Sequence, residues 1–164
     1  MPPARIIPPP PPGFSGWEEL MREALHEAEA AGQRGEVPIG ALLVRWDGAI
    51  SGRAGNEVEG RRDPTAHAEM LALRRAARGA GSARLEGCFL ISTLEPCLMC
   101  AGALPHARLA GLVYGARDAA AGAVDSCLEG LDQPFLNHRV WRLGGVLEDE
   151  CAKLLRDFFL ARRT

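Results

Sequence analysis

His67-Ala68-Glu69, followed well downstream by Pro96-Cys97-Leu98-Met99-Cys100, decides how this chain is read. The two strings supply three side chains able to ligate a metal, His67, Cys97 and Cys100, and one carboxylate, Glu69, that stands outside the set. That is the inventory of a catalytic zinc site, with three protein ligands and a further position left for water. Cys97 and Cys100 are three apart, so on a helix they share a face. Pro96 suits a first helical turn, where its missing N–H costs nothing. Both sulfurs then lie near a helix N-terminus, whose dipole and unpaired N–H groups favour thiolates. His67 has to arrive from another segment. A zinc ion so held lowers the pKa of its water from about 16 to near 7. A base must then take that proton and hand it on, and Glu69, two residues past His67, is placed to do so.

Each string is weak alone. C-x-x-C serves as a redox pair, as half of a structural zinc site, or as coincidence; the redox reading expects a thioredoxin-like context, and no Trp precedes Cys97. In this order, with Asp63-Pro64-Thr65 ahead of the His and Thr93-Leu94-Glu95 ahead of Pro96, the pair is specific. It resembles the H-x-E, then P-C-x-x-C signature of zinc nucleobase deaminases.

The 164 residues fit one domain with a real core. A hydrophobic share of 47% and a charged share of 24% are those of a soluble globular protein. No signal peptide is visible, and the most apolar stretch, Leu98 to Ala116, is broken by Pro105, His106 and Arg108, so no membrane span is expected. Five cysteines, two of them in a metal motif, fit a reducing cytoplasm better than a disulfide framework; Cys88, Cys127 and Cys151 read as packed thiols. The net charge of −2 does not announce a nucleic-acid binder, so any such contact rests on local patches: Arg61-Arg62, Arg74-Arg75 with Arg78, and Arg162-Arg163. Arg74, Arg75 and Arg78 also read as a solvated helix face.

Residues 1–14 read as a disordered Pro-rich tail, with polyproline II over Pro8 to Pro12, and residues 15–164 as the domain. A helix starts near Trp17, where Ser15 and Glu18 have capping-box spacing, and stops at Gly32. Ile39 to Trp46 is a strand, Asp47-Gly48 a hairpin turn, and Ala49 to Gly55 a second strand. Asp63-Pro64 opens a helix carrying His67, Glu69, Met70, Leu73 and Ala77. Cys88 to Thr93 is a strand, Cys97 to Leu104 a helix, Leu109 to Gly115 a strand and Arg117 to Phe135 a loop with room for a short helix. Val140 to Leu143 is a weaker strand. Glu148 to Ala161 is a terminal helix with Cys151, Leu154, Leu155, Phe158 and Phe159 on its apolar side. The order α-β-β-α-β-α-β-β-α makes an α/β fold in three layers, α-β-α, with a mixed five-stranded sheet and helices on both faces. Both metal segments sit where a loop meets a helix start, as ligand sites of open α/β sheets do.

From Trp17 to Arg163 the chain resembles the tRNA-specific adenosine deaminases of the cytidine deaminase-like superfamily. The strings that carry it are Val37-Pro38-Ile39-Gly40-Ala41, Asn56, Asp63 to Glu69, Thr93 to Gly102, Gly115-Ala116-Arg117-Asp118, Asn137-His138-Arg139, and Gly145-Val146-Leu147 through Arg163. The chain departs from the family at Pro105, where the zinc helix usually continues, and at Asp125, where Gly is frequent. The resemblance implies a cytidine deaminase-like fold with residues 15–164 as a zinc-dependent deaminase domain, and one zinc per chain on His67, Cys97 and Cys100. It implies hydrolysis of adenosine to inosine at the wobble position of a tRNA anticodon, by a homodimer with tRNA crossing the subunit boundary. Asn56 would contact the flipped base, Asp118 the backbone or ribose beside it, and Val37, Pro38, Ile39 and Leu94 would line the pocket. Asn137, His138 and Arg139 would add substrate contacts, with Arg162 and Arg163 on the RNA backbone.

Each role has a plainer counterpart: Asn56 as a strand-end cap, Asp118 as the holder of a turn, the apolar four as core. Two other functions share the zinc strings. One is a deaminase of a free nucleoside, nucleotide or base such as cytidine, cytosine or guanine. The other is a non-catalytic, zinc-stabilised RNA-binding module, which would need a fourth protein ligand such as Cys88 or His106 and would leave Glu69 idle.

Overall fold

Trp17, Leu20, Met21, Ala24, Leu25, Ala28 and Ala31 recur at helical spacing, and all seven are buried on one side of α1 (Trp17–Gln33). In the computed structural model, which describes residues 7–163, α1 is followed by β1 (Gly40–Val44), β2 (Ile50–Gly55), a short α2 (Val58–Arg61), α3 (Ala68–Ala80), β3 (Phe89–Leu94), α4 (Leu98–His106), β4 (Gly111–Ala116), β5 (Trp141–Leu143) and α5 (Glu148–Ala161). The strands form one sheet in the order β2-β1-β3-β4-β5. β1 is antiparallel to β2 and β3, while β4 runs parallel to β3 and to β5.

Strand alternation divides the core in two. Ala41, Leu43, Leu90, Leu112 and Tyr114 face α3 and α4, whereas Leu42, Val44, Ile91 and Val113 face α1 and α5. The three-layer arrangement expected from the sequence is therefore the observed one, with both faces of the central strands covered.

Four local departures have physical causes. α3 starts at Ala68 rather than at Asp63, because Asp63 Oδ1 accepts bonds from Thr65 N at 2.8 Å and from Thr65 Oγ1 at 2.7 Å, closing a turn before the helix. The extra helix α2, only four residues long, carries no periodicity to read. At the start of α1 the N-cap is Gly16, and Ser15 N donates to Glu19 Oε2 at 2.8 Å, so the reciprocal bond falls one residue later than the Ser15–Glu18 spacing suggests. α4 runs to His106 with Pro105 in its last turn, where the missing N–H removes only the bond to Ala101 O.

The proline-rich segment also differs from a free tail over its described part. Trp17 Nε1 donates to Pro8 O at 2.9 Å, Pro11 is buried, and Pro12 O lies against the hairpin turn. Gly48 there has φ +91°, and a Cβ on it would stand 2.1 Å from that carbonyl. Residues 1–6 lie outside the described residues.

Candidate active site

Two helix starts meet at one end of the sheet. His67 is the N-cap of α3 and Cys97 the N-cap of α4, with Cys100 in the first turn. His67 Nδ1 is 3.6 Å from Cys97 Sγ and 3.5 Å from Cys100 Sγ. A tetrahedral zinc ion with bonds of about 2.1 Å to nitrogen and 2.3 Å to sulfur puts such atoms about 3.6 Å apart, so the donor set fits zinc in spacing as well as in chemistry. Among the described residues, these three form the only cluster of metal-ligating side chains of that size. Cys88 and His106, the fourth ligands that a closed structural site would need, are not in it.

The Cys97 thiol is held down at about 5, first by the hydrogen bond from the Cys100 side chain, against burial, and then by the Cys100 and Met99 N–H groups and the nearby His67. The Cys100 thiol is pushed up by that same bond and by burial. Glu69 is buried in the first turn of α3, two residues past His67. Burial raises its carboxyl above the ordinary carboxylate range, against the hydrogen bonds from Cys100 and Ser92. A carboxyl raised in this way suits a group that must both take and return a proton.

His67 opens onto a pocket of about 540 Å³ lined by Gly35, Val37, Ile39, Asn56, Val58, Glu59, Phe158, Phe159 and Arg162. Val37, Ile39 and Asn56, three of the residues expected around a bound base, are part of this lining. Pro38 is buried beside Gly32, behind that wall. Leu94 packs against the α1 side of the sheet, outside the lining. Phe158 and Phe159, read from the sequence only as an apolar helix face, form a wall of the pocket; their helical period was legible, but not what the end of α5 packs against. Arg162 stacks over the Phe158 ring, 3.8 Å from its centroid, and donates to Gly35 O at 3.0 Å.

Asp118 holds a turn: its Oδ1 accepts from the N–H groups of Ala120 at 3.0 Å and Ala121 at 3.1 Å. Its own N–H bonds Glu95 Oε1 at 3.1 Å. Glu95, 1% exposed, anchors the whole loop after β4. Its carboxylate also accepts from the N–H groups of Val124, Asp125 and Ser126 and from the Ser126 hydroxyl. Burial acts to raise its pKa, but the Ser126 side chain and the backbone donors outweigh it and hold it at about 2. Gly122 completes the cradle, since a Cβ there would lie 2.4 Å from Glu95 Cδ. Asp125, the family departure, is paired rather than exposed on the loop: it accepts from the Tyr114 hydroxyl and from Arg142 Nε, while Arg142 also reaches Asp132 at 2.8 Å.

Asn137, His138 and Arg139 lie elsewhere. Asn137 Oδ1 accepts from Arg108 at 3.0 Å, His138 Nε2 is 2.7 Å from Leu109 O, and Arg139 bonds Gln133 O at 3.3 Å. These contacts hold the segment near the Gly111 end of β4, whereas the His67 cluster lies beyond the Leu94 end of β3. Arg163 is exposed at the end of α5.

Residues 15–116 match the cytidine and deoxycytidylate deaminase zinc-binding region. The tRNA-specific adenosine deaminase of Aquifex aeolicus (strain VF5) is 46% identical over 145 residues, which are 88% of this chain and 94% of the relative. A solved structure from biochemical and structural studies of A-to-I editing by tRNA:A34 deaminases at the wobble position of transfer RNA matches with a TM-score of 0.81 at 45% identity, covering 84% of this chain and 99% of that one. The guanine deaminase of Nitrosomonas europaea shares the fold with a TM-score of 0.75, but at 26% identity, over 88% of this chain and 85% of its own.

Proposed function

Because this chain belongs to the tRNA-specific adenosine deaminases, within the family that carries the cytidine and deoxycytidylate deaminase zinc-binding region, we infer that its site converts adenosine to inosine by hydrolysis at the wobble position of a tRNA anticodon. The observation that carries the chemistry is the His67–Cys97–Cys100 cluster with a buried carboxyl, Glu69, just inside the same helix. The RNA substrate rests on the relatives: identity to the tRNA enzymes is 42–46%, against 26–30% to guanine deaminases.

His67, Cys97 and Cys100 hold the zinc, which when bound supplies a Lewis acid and water activated near neutral pH. Glu69 would take a proton from the attacking water and give it to N1 of the adenine as the water oxygen bonds to C6. Glu69 then helps protonate the exocyclic nitrogen as the C6–N6 bond breaks and ammonia leaves. The base must first leave its stack to enter the pocket, which costs least in a single-stranded loop. Val37, Ile39, Phe158 and Phe159 offer apolar walls to the flipped base, and Asn56 an amide to its polar edge.

The same reading includes a homodimer. Leu98 at the head of α4 is 64% exposed and Phe135 80% exposed, while Leu104 is buried in the core, so the apolar residues of α4 do not all serve the sheet. The free cysteines fit action in the cytoplasm. No helix among the described residues is long and apolar enough to cross a membrane.

Two variants test the site. Cys97→Ala should lose most of its zinc. Glu69→Gln should keep fold and zinc but lose roughly 10²–10⁴-fold in turnover, because an amide cannot carry the proton. Full zinc in the first, or near-normal inosine formation by the second, would contradict the assignment.

A further inference from the structure

We propose that Ser92 is a positioning residue for the Glu69 carboxyl, a role that deepens the deaminase reading and rests on it. Ser92 lies in the middle of the sheet on β3, paired with Ala41 of β1 and Tyr114 of β4, and is fully buried. Its side chain shares a face with Leu90, the face covered by α3. A hydroxyl at such a position costs stability unless it is bonded. Ser92 Oγ stands within hydrogen-bond distance of two acceptors, Glu69 Oε1 at 3.1 Å and Leu94 O at 2.8 Å, which share its one proton.

The bond answers a need that packing does not meet. The last torsion of a glutamate is broad and nearly two-fold, so a close-packed cavity defines where the carboxyl sits better than where its oxygens point. A hydroxyl held by a rigid central strand fixes that rotation, and a bond to a carboxylate is stronger than one between neutral groups. The second partner matters too. Leu94 is followed by Glu95, Pro96 and Cys97, so one hydroxyl joins the carboxyl on α3 to the strand end that delivers the metal-binding helix. Ala41, the partner of Ser92 on β1, and Ala68, the neighbour of Glu69 on α3, are both small and buried in the same core cluster.

A double-mutant cycle of Ser92→Ala and Glu69→Gln tests the idea. Ser92→Ala removes one atom and should keep one zinc per chain and cooperative unfolding. Its kcat should fall roughly 10- to 100-fold, the scale of a hydrogen bond to a charged group, with KM for an anticodon stem-loop unchanged within about twofold. In the Glu69→Gln background the same change should slow turnover no further. Thermal midpoints of the four proteins should be non-additive, a readout independent of catalysis. Wild-type kcat in Ser92→Ala, an additive loss on top of Glu69→Gln, additive midpoints, or failure of Ser92→Ala to fold would each overturn the proposal. If wild type makes no inosine, the deaminase reading fails, while the thermal cycle still decides whether Ser92 and Glu69 are coupled.

Discussion

Arg162 and Arg163 are neighbours in sequence with different surroundings. The Arg162 guanidinium is engaged by the Phe158 ring and by Gly35 O, so it ties the end of α5 to the Val37–Ile39 wall of the pocket. Arg163 is exposed on the other side of the helix end, beside Leu160 and Phe159. Removing an arginine that contacts phosphate should weaken RNA binding and flatten its salt dependence by about one unit of slope. Arg163→Ala is expected to do this, whereas Arg162→Ala should weaken binding with little change of slope, because it loosens a wall rather than releasing counterions. Titrating RNA into each variant at several salt concentrations decides between them; equal slopes for Arg163→Ala and wild type would remove Arg163 as a phosphate contact.

The loop after β4 shows how an element without regular structure is held. Glu95 gathers four N–H groups and one hydroxyl from residues 118–126. Its folded value of about 2 lies below the ordinary 4.5, so the folded chain binds fewer protons here than the unfolded one. The stabilisation is complete above about pH 4.5 and is lost as pH falls through about 2. Glu95→Gln should cost roughly 3 kcal/mol at neutral pH, since its amide nitrogen would face donors, and its stability should change less than that of wild type across the acid window. Acid unfolding followed by circular dichroism checks both; parallel curves would show that the carboxylate is not the anchor. None of this was legible beforehand, because the partners of Glu95 are backbone groups of a loop some thirty residues away. The zinc strings and α5 were legible, since ligand spacing and a 3.6-residue period are local properties. The start of α3 was not, because the Asp63 side chain competes with the helix for its own backbone.

At the scale of the whole molecule, both ligand-bearing helices begin at one end of a sheet buried on both faces, and α5 returns to that end to close the pocket. Among the large apolar side chains left exposed is Leu98 at the head of α4, beside the half-buried Met99. A two-fold dimer would use the same patch on both copies, so Met99→Glu should bring like charges together and split it. Light scattering at micromolar concentration should give a dimer for wild type and a monomer for the variant; a monomeric wild type refutes the dimer, and a dimeric variant moves the interface elsewhere. The most direct test of the central claim is a substrate comparison with the purified protein. An anticodon stem-loop carrying adenosine at the wobble position should yield inosine at that position, with free adenosine, cytidine and guanine converted far more slowly. Faster deamination of any free base or nucleoside than of the stem-loop would contradict the account.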